Sequence, residues 1–271
     1  MIDELISFLA QPPFRILQIS DIHWNHENNA VQQNLLKSFS QIVSDISAER
    51  NLDIIVIAGD LAAKDPANEI SFAGEFIKNT LKFNGKDFPK NRLFIVLGNH
   101  EVIWTDSTLT HRMLNPYHAY VTFYNNLYGR EQIIKTVATK NAKKPQIPQE
   151  VLEYGLSWHR TLKIPNVSLI GVCSNSPDVK DKGKGCISQN IIDYIMTEWS
   201  TQKPEDEMRI FILHHNFFQT ELFDERDEDC TLLNAGKVLN ALVNSHCDLV
   251  LSGHTHRPQI IAYQSSVMGN I

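Results

Sequence analysis

Short apolar runs recur along the chain, and each breaks off into small or polar residues. FRILQI (14–19) runs into SDIH, DIIVIA (53–58) into GD, and RLFIVL (92–97) into GNHE. VSLIGV (167–172) runs into CSNS, RIFIL (209–213) into HHN, and DLVL (248–251) into SGHTH. Runs this short, rich in Ile and Val, predict strands buried on both faces. Between several of them the apolar positions shift to helical spacing: Val31, Leu35, Phe39, Ile42, Val43 and Ile46, then Ile70, Ala73, Ile77 and Leu81. Similar patterns cover 191–199 and 232–243. Strand and helix in alternation predict an α/β sandwich. The chain shows no internal repeat and no low-complexity linker.

Two segments exceed a minimal sandwich. Residues from 105 to about 148 form an inserted segment holding Tyr117, Tyr120, Phe123, Tyr124 and Tyr128 and ending in a basic tail, which reads as a loop. The aromatic spacing favours core packing of an inserted helix over stacking of bases. ELFDERDED (221–229) is a second insertion, read as a solvated acidic face. Residues 1–13 read as a short amphipathic helix stopped by Pro12 and Pro13, with acids where a secretory signal needs bases. Residues 14–271 make up the main domain.

Composition narrows the setting. A net charge of −6 gives no general pull toward nucleic acid or anionic membrane. No apolar stretch approaches the roughly 20 residues that span a bilayer. Four cysteines without a C-x-x-C spacing read as ordinary thiols in a reducing compartment, so a cytoplasmic location is expected.

The candidate chemistry lies at the carboxyl ends of the predicted strands, where open parallel sheets bind ligands. Asp21 and His23 follow the first run, Asp60 the second, and Asn99 and His100 the third. His214 follows a later run, then His254 and His256. Singly, such an Asp is a helix cap and such a His a surface residue. Jointly, carboxylate, imidazole and amide oxygen suit divalent first-row metals. Asp21, His23, Asp60, Asn99, His214, His254 and His256 are more donors than one tetrahedral ion takes. They fit two ions ~3.5–4 Å apart with one carboxylate between them. Asp21-x-His23 and His254-x-His256 point their side chains the same way if the backbone is extended.

DIH (21–23), GD (59–60), GNHE (98–101), HH (214–215) and GHTH (253–256), in that order, resemble the calcineurin-like metallophosphoesterase superfamily. The resemblance implies a four-layer α/β/β/α sandwich with a dinuclear metal centre. It assigns Asp21, His23 and His256 to the first ion, Asn99, His214 and His254 to the second, and Asp60 to both. His100 matches the family histidine that faces the substrate phosphate and leaving group. Two divalent ions are implied, manganese foremost, with iron, zinc, nickel or cobalt also suited. The implied reaction is hydrolysis of a phosphate mono- or diester by a hydroxide shared between the ions. The first-motif context and the segment around Cys186–Ile191 resemble bacterial relatives, which favours a nucleotide or nucleic-acid phosphodiester over a phosphoprotein.

Some features depart from the pattern. Relatives often carry Asp or Asn where Ala63 stands, and in some it orients the catalytic histidine; here Glu101 or Asp65 is the expected substitute, or nothing takes that place. Asn216 stands where many relatives have proline. Gly183 and Gly185 read as a turn before a Ser188 helix cap, and Trp24 either borders the substrate or packs under its loop. Few residues follow His256, so one or two short strands are expected from 259–271. The natural protein is expected to continue into a regulatory C-terminal region. The competing reading is a non-catalytic scaffold of the same fold.

Overall fold

The computed structural model describes residues 14–25, 30–49, 52–83, 86–102, 117–128, 157–163, 166–175, 183–199, 202–218, 231–256 and 260–263. The N-terminal segment 1–13, the basic tail before 148 and the acidic stretch 221–229 lie outside them.

The first sheet is parallel and ordered β1 (Ile16–Ile19), β2 (Ile54–Ala58), β5 (Leu93–Val96). Its helices are α1 (Ala30–Glu49) and α2 (Pro66–Thr80), followed by a small hairpin, β3 (Lys82–Phe83) and β4 (Lys86–Asp87). Asp65 and Pro66 start α2 as expected of a helix entered through proline at its first position. The second sheet runs β6 (Trp158–Leu162), β7 (Val167–Gly171), β8 (Met208–Ile212), β9 (Leu249–Leu251), with α4 (Gln189–Glu198) and α5 (Ala235–Asn244) between the later strands. β7, β8 and β9 are parallel, and β6 is an antiparallel edge. α3 (His118–Tyr128) follows β5 in the chain.

Side-chain alternation sorts the second sheet into two cores. Val167 and Leu169 of β7, with Ile210 and Ile212 of β8, join the cluster that holds all of β2. Ile170, Val172, Phe211 and Leu213 join Ile191, Ile195, Val238 and Leu242 of α4 and α5. One face of this sheet therefore meets the first sheet and the other meets helices, which makes the four layers α/β/β/α.

The edge strand β5 is closed by side chains. Its outward carbonyls at Leu93 and Ile95, and that of Leu97 just past its end, accept from Tyr128 Oη (2.6 Å), from Tyr120 Oη (3.2 Å) with Trp158 Nε1 (2.9 Å), and from Asn175 Nδ2 (3.4 Å). The aromatic residues of α3 thus act as packing, and the hydroxyls of Tyr120 and Tyr128 satisfy part of an otherwise open ladder.

Three expectations change. β1 and β9, expected to be buried on both faces, are not: Ile19 is the one buried residue of β1, and β9 is half-buried throughout; β6, which no apolar run marked, carries one buried residue, Trp158, as an edge strand can. On α1, Leu35 and Ile42 are 65% and 56% exposed. Phe39, Val43 and Ile46 face the core, and Ile42 stands about 100° off the line through Val43. Residues 260–263 form no strand, and Ile260, Ile261 and Tyr263 are exposed. Among the described residues no helix is long and apolar enough to cross a membrane.

Candidate metal centre

The loops after β1 and β2 leave the sheet side by side. Asp21 N–H donates to Gly59 O (3.1 Å), His23 N–H to Asp60 O (3.0 Å) and Trp24 N–H to Leu61 O (2.7 Å). The backbone here is not extended. Asp21, His23, Asp60, His254 and His256 all have φ between 47° and 76°. Left-handed backbone at a non-glycine residue costs about 1–3 kcal/mol, and Asp and His tolerate it best. Each loop turns sharply at its polar residue, which is why the side chains converge. Gly59 (φ 85°) allows β2 and β5 to close up: a Cβ there would lie 2.6 Å from Gly98 Cα.

Two clusters result, and Asp60 belongs to both. In the first, His23 Nε2 lies 2.9 Å from His256 Nε2 and 3.7 Å from Asp60 Oδ2, and His256 Nε2 lies 3.6 Å from Asp21 Oδ1. In the second, His214 Nε2 lies 3.3 Å from Asp60 Oδ2, 3.0 Å from His254 Nδ1 and 2.9 Å from Asn99 Oδ1. Donors ~2.1 Å from one ion stand ~3.0–3.4 Å apart, so the second set matches a single cation closely.

The outer ring nitrogens agree. His214 Nδ1 donates to Ala58 O (2.7 Å) and His254 Nε2 to Gly183 O (3.1 Å). Each far nitrogen keeps its proton on a carbonyl, so the near one is the nitrogen that can turn a lone pair inward. Four electron pairs that face one point repel unless a cation or proton lies between them. His215 does not enter the cluster; its Nδ1 bonds Ser174 Oγ at 2.8 Å. Asn216 ties two loops together instead, with Nδ2 on Thr255 Oγ1 (3.0 Å) and Oδ1 accepting from Ser252 Oγ.

The charges interlock. Burial alone would raise the Asp60 carboxyl, but the imidazoles of His214 and His100 outweigh it and hold it well below the usual range. Burial would lower His214, yet the Asp60 charge pushes it up to about 9. His254 is pushed down to about 4 by burial and by His214. Burial also lowers His23, against the Asp60 charge.

His100 stands over this floor, its Nε2 3.9 Å from Asp60 Oδ2 and its backbone N–H on Asp60 Oδ1 (3.0 Å). Its Nδ1 is held by the Ala63 backbone carbonyl. Neither expected substitute does this. Asp65 Oδ2 accepts from Asn68 Nδ2 (2.6 Å). Glu101, fully buried, accepts from three backbone N–H groups: Asp60 (2.9 Å), Gly98 (2.7 Å) and Ala62 (2.9 Å). It clamps the GD loop to the GNHE loop. Burial and the Asp60 charge push its carboxyl up to about 7, against the pull of those N–H groups. Trp24 packs on Phe76 (5.8 Å between rings) and joins the core. Ser188 sits at the start of α4 without a side-chain cap bond. Sequence reasoning missed the carbonyls of Ala63, Gly183 and Ala58, since main-chain acceptors leave no residue-type signal.

Residues 14–258 match the family model of the calcineurin-like phosphoesterases. No curated protein matches the chain. Among solved structures it is similar to the phosphopantetheinyl hydrolase PptH of Mycobacterium tuberculosis, with 13% identity, a TM-score of 0.45, and coverage of 92% of this chain and 85% of that one. It is also similar to a Staphylococcus aureus protein assigned as a 5'-nucleotidase, in complex with alpha-ketoglutarate, with 14% identity, a TM-score of 0.46, and coverage of 92% and 46%. Because the family match runs through all five polar loops, the chain belongs to the calcineurin-like phosphoesterase family, which works with divalent metals.

Proposed function

We propose that the chain hydrolyses phosphate esters at a dinuclear centre, with Asp21, His23 and His256 on one ion, Asn99, His214 and His254 on the other, and Asp60 on both. The observation that carries this reading is Asp60 Oδ2, which lies 3.3 Å from His214 Nε2 and 3.7 Å from His23 Nε2. One carboxylate oxygen thus serves two imidazole clusters. When bound, two such ions lower the pKa of water and neutralise phosphoryl charge.

The chain's own residues do the rest. Hydrolysis replaces the bond from phosphorus to the leaving oxygen with one to a water oxygen, and the leaving oxygen must gain a proton. His100 supplies it from Nε2 while Nδ1–H stays on the Ala63 carbonyl. Proton transfer of this kind is worth roughly 10²–10⁴-fold. The finer reading is a phosphodiester of a nucleotide or nucleic acid. The open rim supports it: the side chains of His100 and His256 are 39% and 58% exposed, which leaves room for a second ester arm.

The test uses metal-depleted protein reloaded with manganese and assayed on p-nitrophenyl phosphate and its bis-ester. Turnover of the bis-ester ahead of the monoester is expected. His100→Ala should cut turnover of a phenyl ester by ~10²-fold or more with metal content intact. Equal loss of metal and turnover would remove His100 from its role. No turnover with manganese, iron, zinc, nickel or cobalt would leave a scaffold of this fold.

A further inference from the structure

His100 is held by a backbone atom, and that atom is aimed by a side chain outside both clusters. Ala63 has no side-chain group to offer an imidazole. Its carbonyl accepts from His100 Nδ1 instead. On the other side of the same loop lies Glu69, in the first turn of α2 and fully buried. One of its oxygens, Oε2, accepts from the backbone N–H groups of Ala63 (2.9 Å), Lys64 (2.8 Å) and Asp65 (2.9 Å). Successive N–H groups that converge in this way form a nest, which an anion completes.

The peptide between residues 63 and 64 links the two contacts. Its N–H belongs to Lys64 and its C=O to Ala63. In a trans peptide these point in opposite directions. An N–H anchored on Glu69 therefore sends the Ala63 carbonyl away from α2, toward His100. Glu101 holds the preceding N–H groups of Asp60 and Ala62, so the loop has little freedom to rotate that peptide back.

We infer that Glu69 is a positioning residue for His100: through the 63–64 peptide it keeps Nδ1–H on the Ala63 carbonyl, so that Nε2, with the proton it gives up, faces the leaving group. The inference rests on the role proposed for His100 above. If the aim of that peptide is lost, His100 can rotate or change tautomer, and protonation of poor leaving groups suffers first. Glu69 also ties the first turn of α2 to the Asp65 N–H, and loss of that function alone would lower stability without regard to the leaving group.

Glu69→Gln keeps the side-chain shape and removes the charge; Glu69→Asp keeps the charge but withdraws it from the nest, and serves if the first variant fails to fold. With metal content matched to wild type, turnover of a phenyl ester should fall ~10- to 100-fold while that of the p-nitrophenyl ester stays within about 3-fold. Adding Ala63→Asn, which supplies a side-chain acceptor at this position, should recover about tenfold of the phenyl-ester loss. Nitrogen-detected NMR of labelled histidine should show His100 protonated at Nδ1 in the wild type and a tautomer mixture in the variant. Equal losses on both esters, or an unchanged His100 tautomer, would overturn the inference. The spectrum needs no turnover, so it decides the matter even if the protein hydrolyses no ester.

Discussion

Replacing Gly98 with alanine puts a methyl carbon where there is no room for one. The added Cβ would lie 2.1 Å from Asp60 Oδ1, 2.4 Å from Asp60 N and 2.8 Å from Asp60 Cγ. Ordinary contact begins at about 3.4 Å, so the two loops must part by about 1.3 Å. Neither side yields easily: the Asp60 N–H is bonded to buried Glu101, and the Asp60 side chain holds the His100 N–H. Overpacking costs about 1–3 kcal/mol, and the strained charge-assisted bond to His100 about 1.5–3 kcal/mol more. The expected total of ~2.5–6 kcal/mol lies at or below the low end of the ~5–15 kcal/mol typical of a folded chain, so the protein should fold, with Tm lowered by about 10 °C. Metal binding should suffer more, because donors must sit within ~0.2 Å of their ideal distance. A manganese affinity at least ~100-fold weaker is expected, equivalent to about 2.7 kcal/mol. Thermal unfolding and metal analysis after reloading read the two effects. Gly236→Ala in α5 is the control, since a Cβ there meets nothing within 4 Å. It should be neutral or stabilise by up to about 1 kcal/mol. Full manganese loading of Gly98→Ala at wild-type affinity would refute the placement of Asp60 between the two loops.

The remaining predictions concern protons and the β5 edge. Burial opposes charge on His214, but Asp60 wins and holds a proton on it up to about pH 9, which a cation must expel. Manganese affinity should therefore rise about tenfold per pH unit from ~6.5 to 9, and calorimetry in two buffers should count one proton released. A pH-independent affinity across that range would contradict the pairing. For the metal-free chain, the His214 share of stability is full below ~6.5 and is lost as pH rises through about 9. The His254 share runs the other way: it is present above ~6.5 and lost as pH falls through about 4. Tyr128→Phe deletes the 2.6 Å bond to Leu93 O. It should cost about 1–2 kcal/mol by thermal unfolding and leave turnover unchanged, because it acts at the end of β5 away from Asn99.

β2, β5, β7 and most of β8 were legible because a strand covered on both faces must be apolar throughout, and β1 and β9 carry similar runs although they are only partly buried. β1, β2, β5, β7, β8 and β9 all lie within the expected runs except for Met208 at the start of β8. β6 was not legible, since an edge strand carries no such run. The core-facing line of α1 was misplaced at Leu35 and Ile42, because apolar spacing does not reveal how wide a stripe the sheet will cover.

At the site, residue type and order along the chain were enough to nominate Asp21, His23, Asp60, Asn99, His214, His254 and His256, since metal donors are side-chain chemistry. What only the tertiary structure decided is how they are held. The extended D-x-H and H-x-H geometry gave way to left-handed turns, because the loops pair with one another past the ends of the strands. Glu101 became a clamp on backbone amides rather than a partner of His100. The partners of His100, His214 and His254 are carbonyls of Ala63, Ala58 and Gly183. Every residue carries a carbonyl, so no sequence pattern marks the few that chain packing turns toward an imidazole.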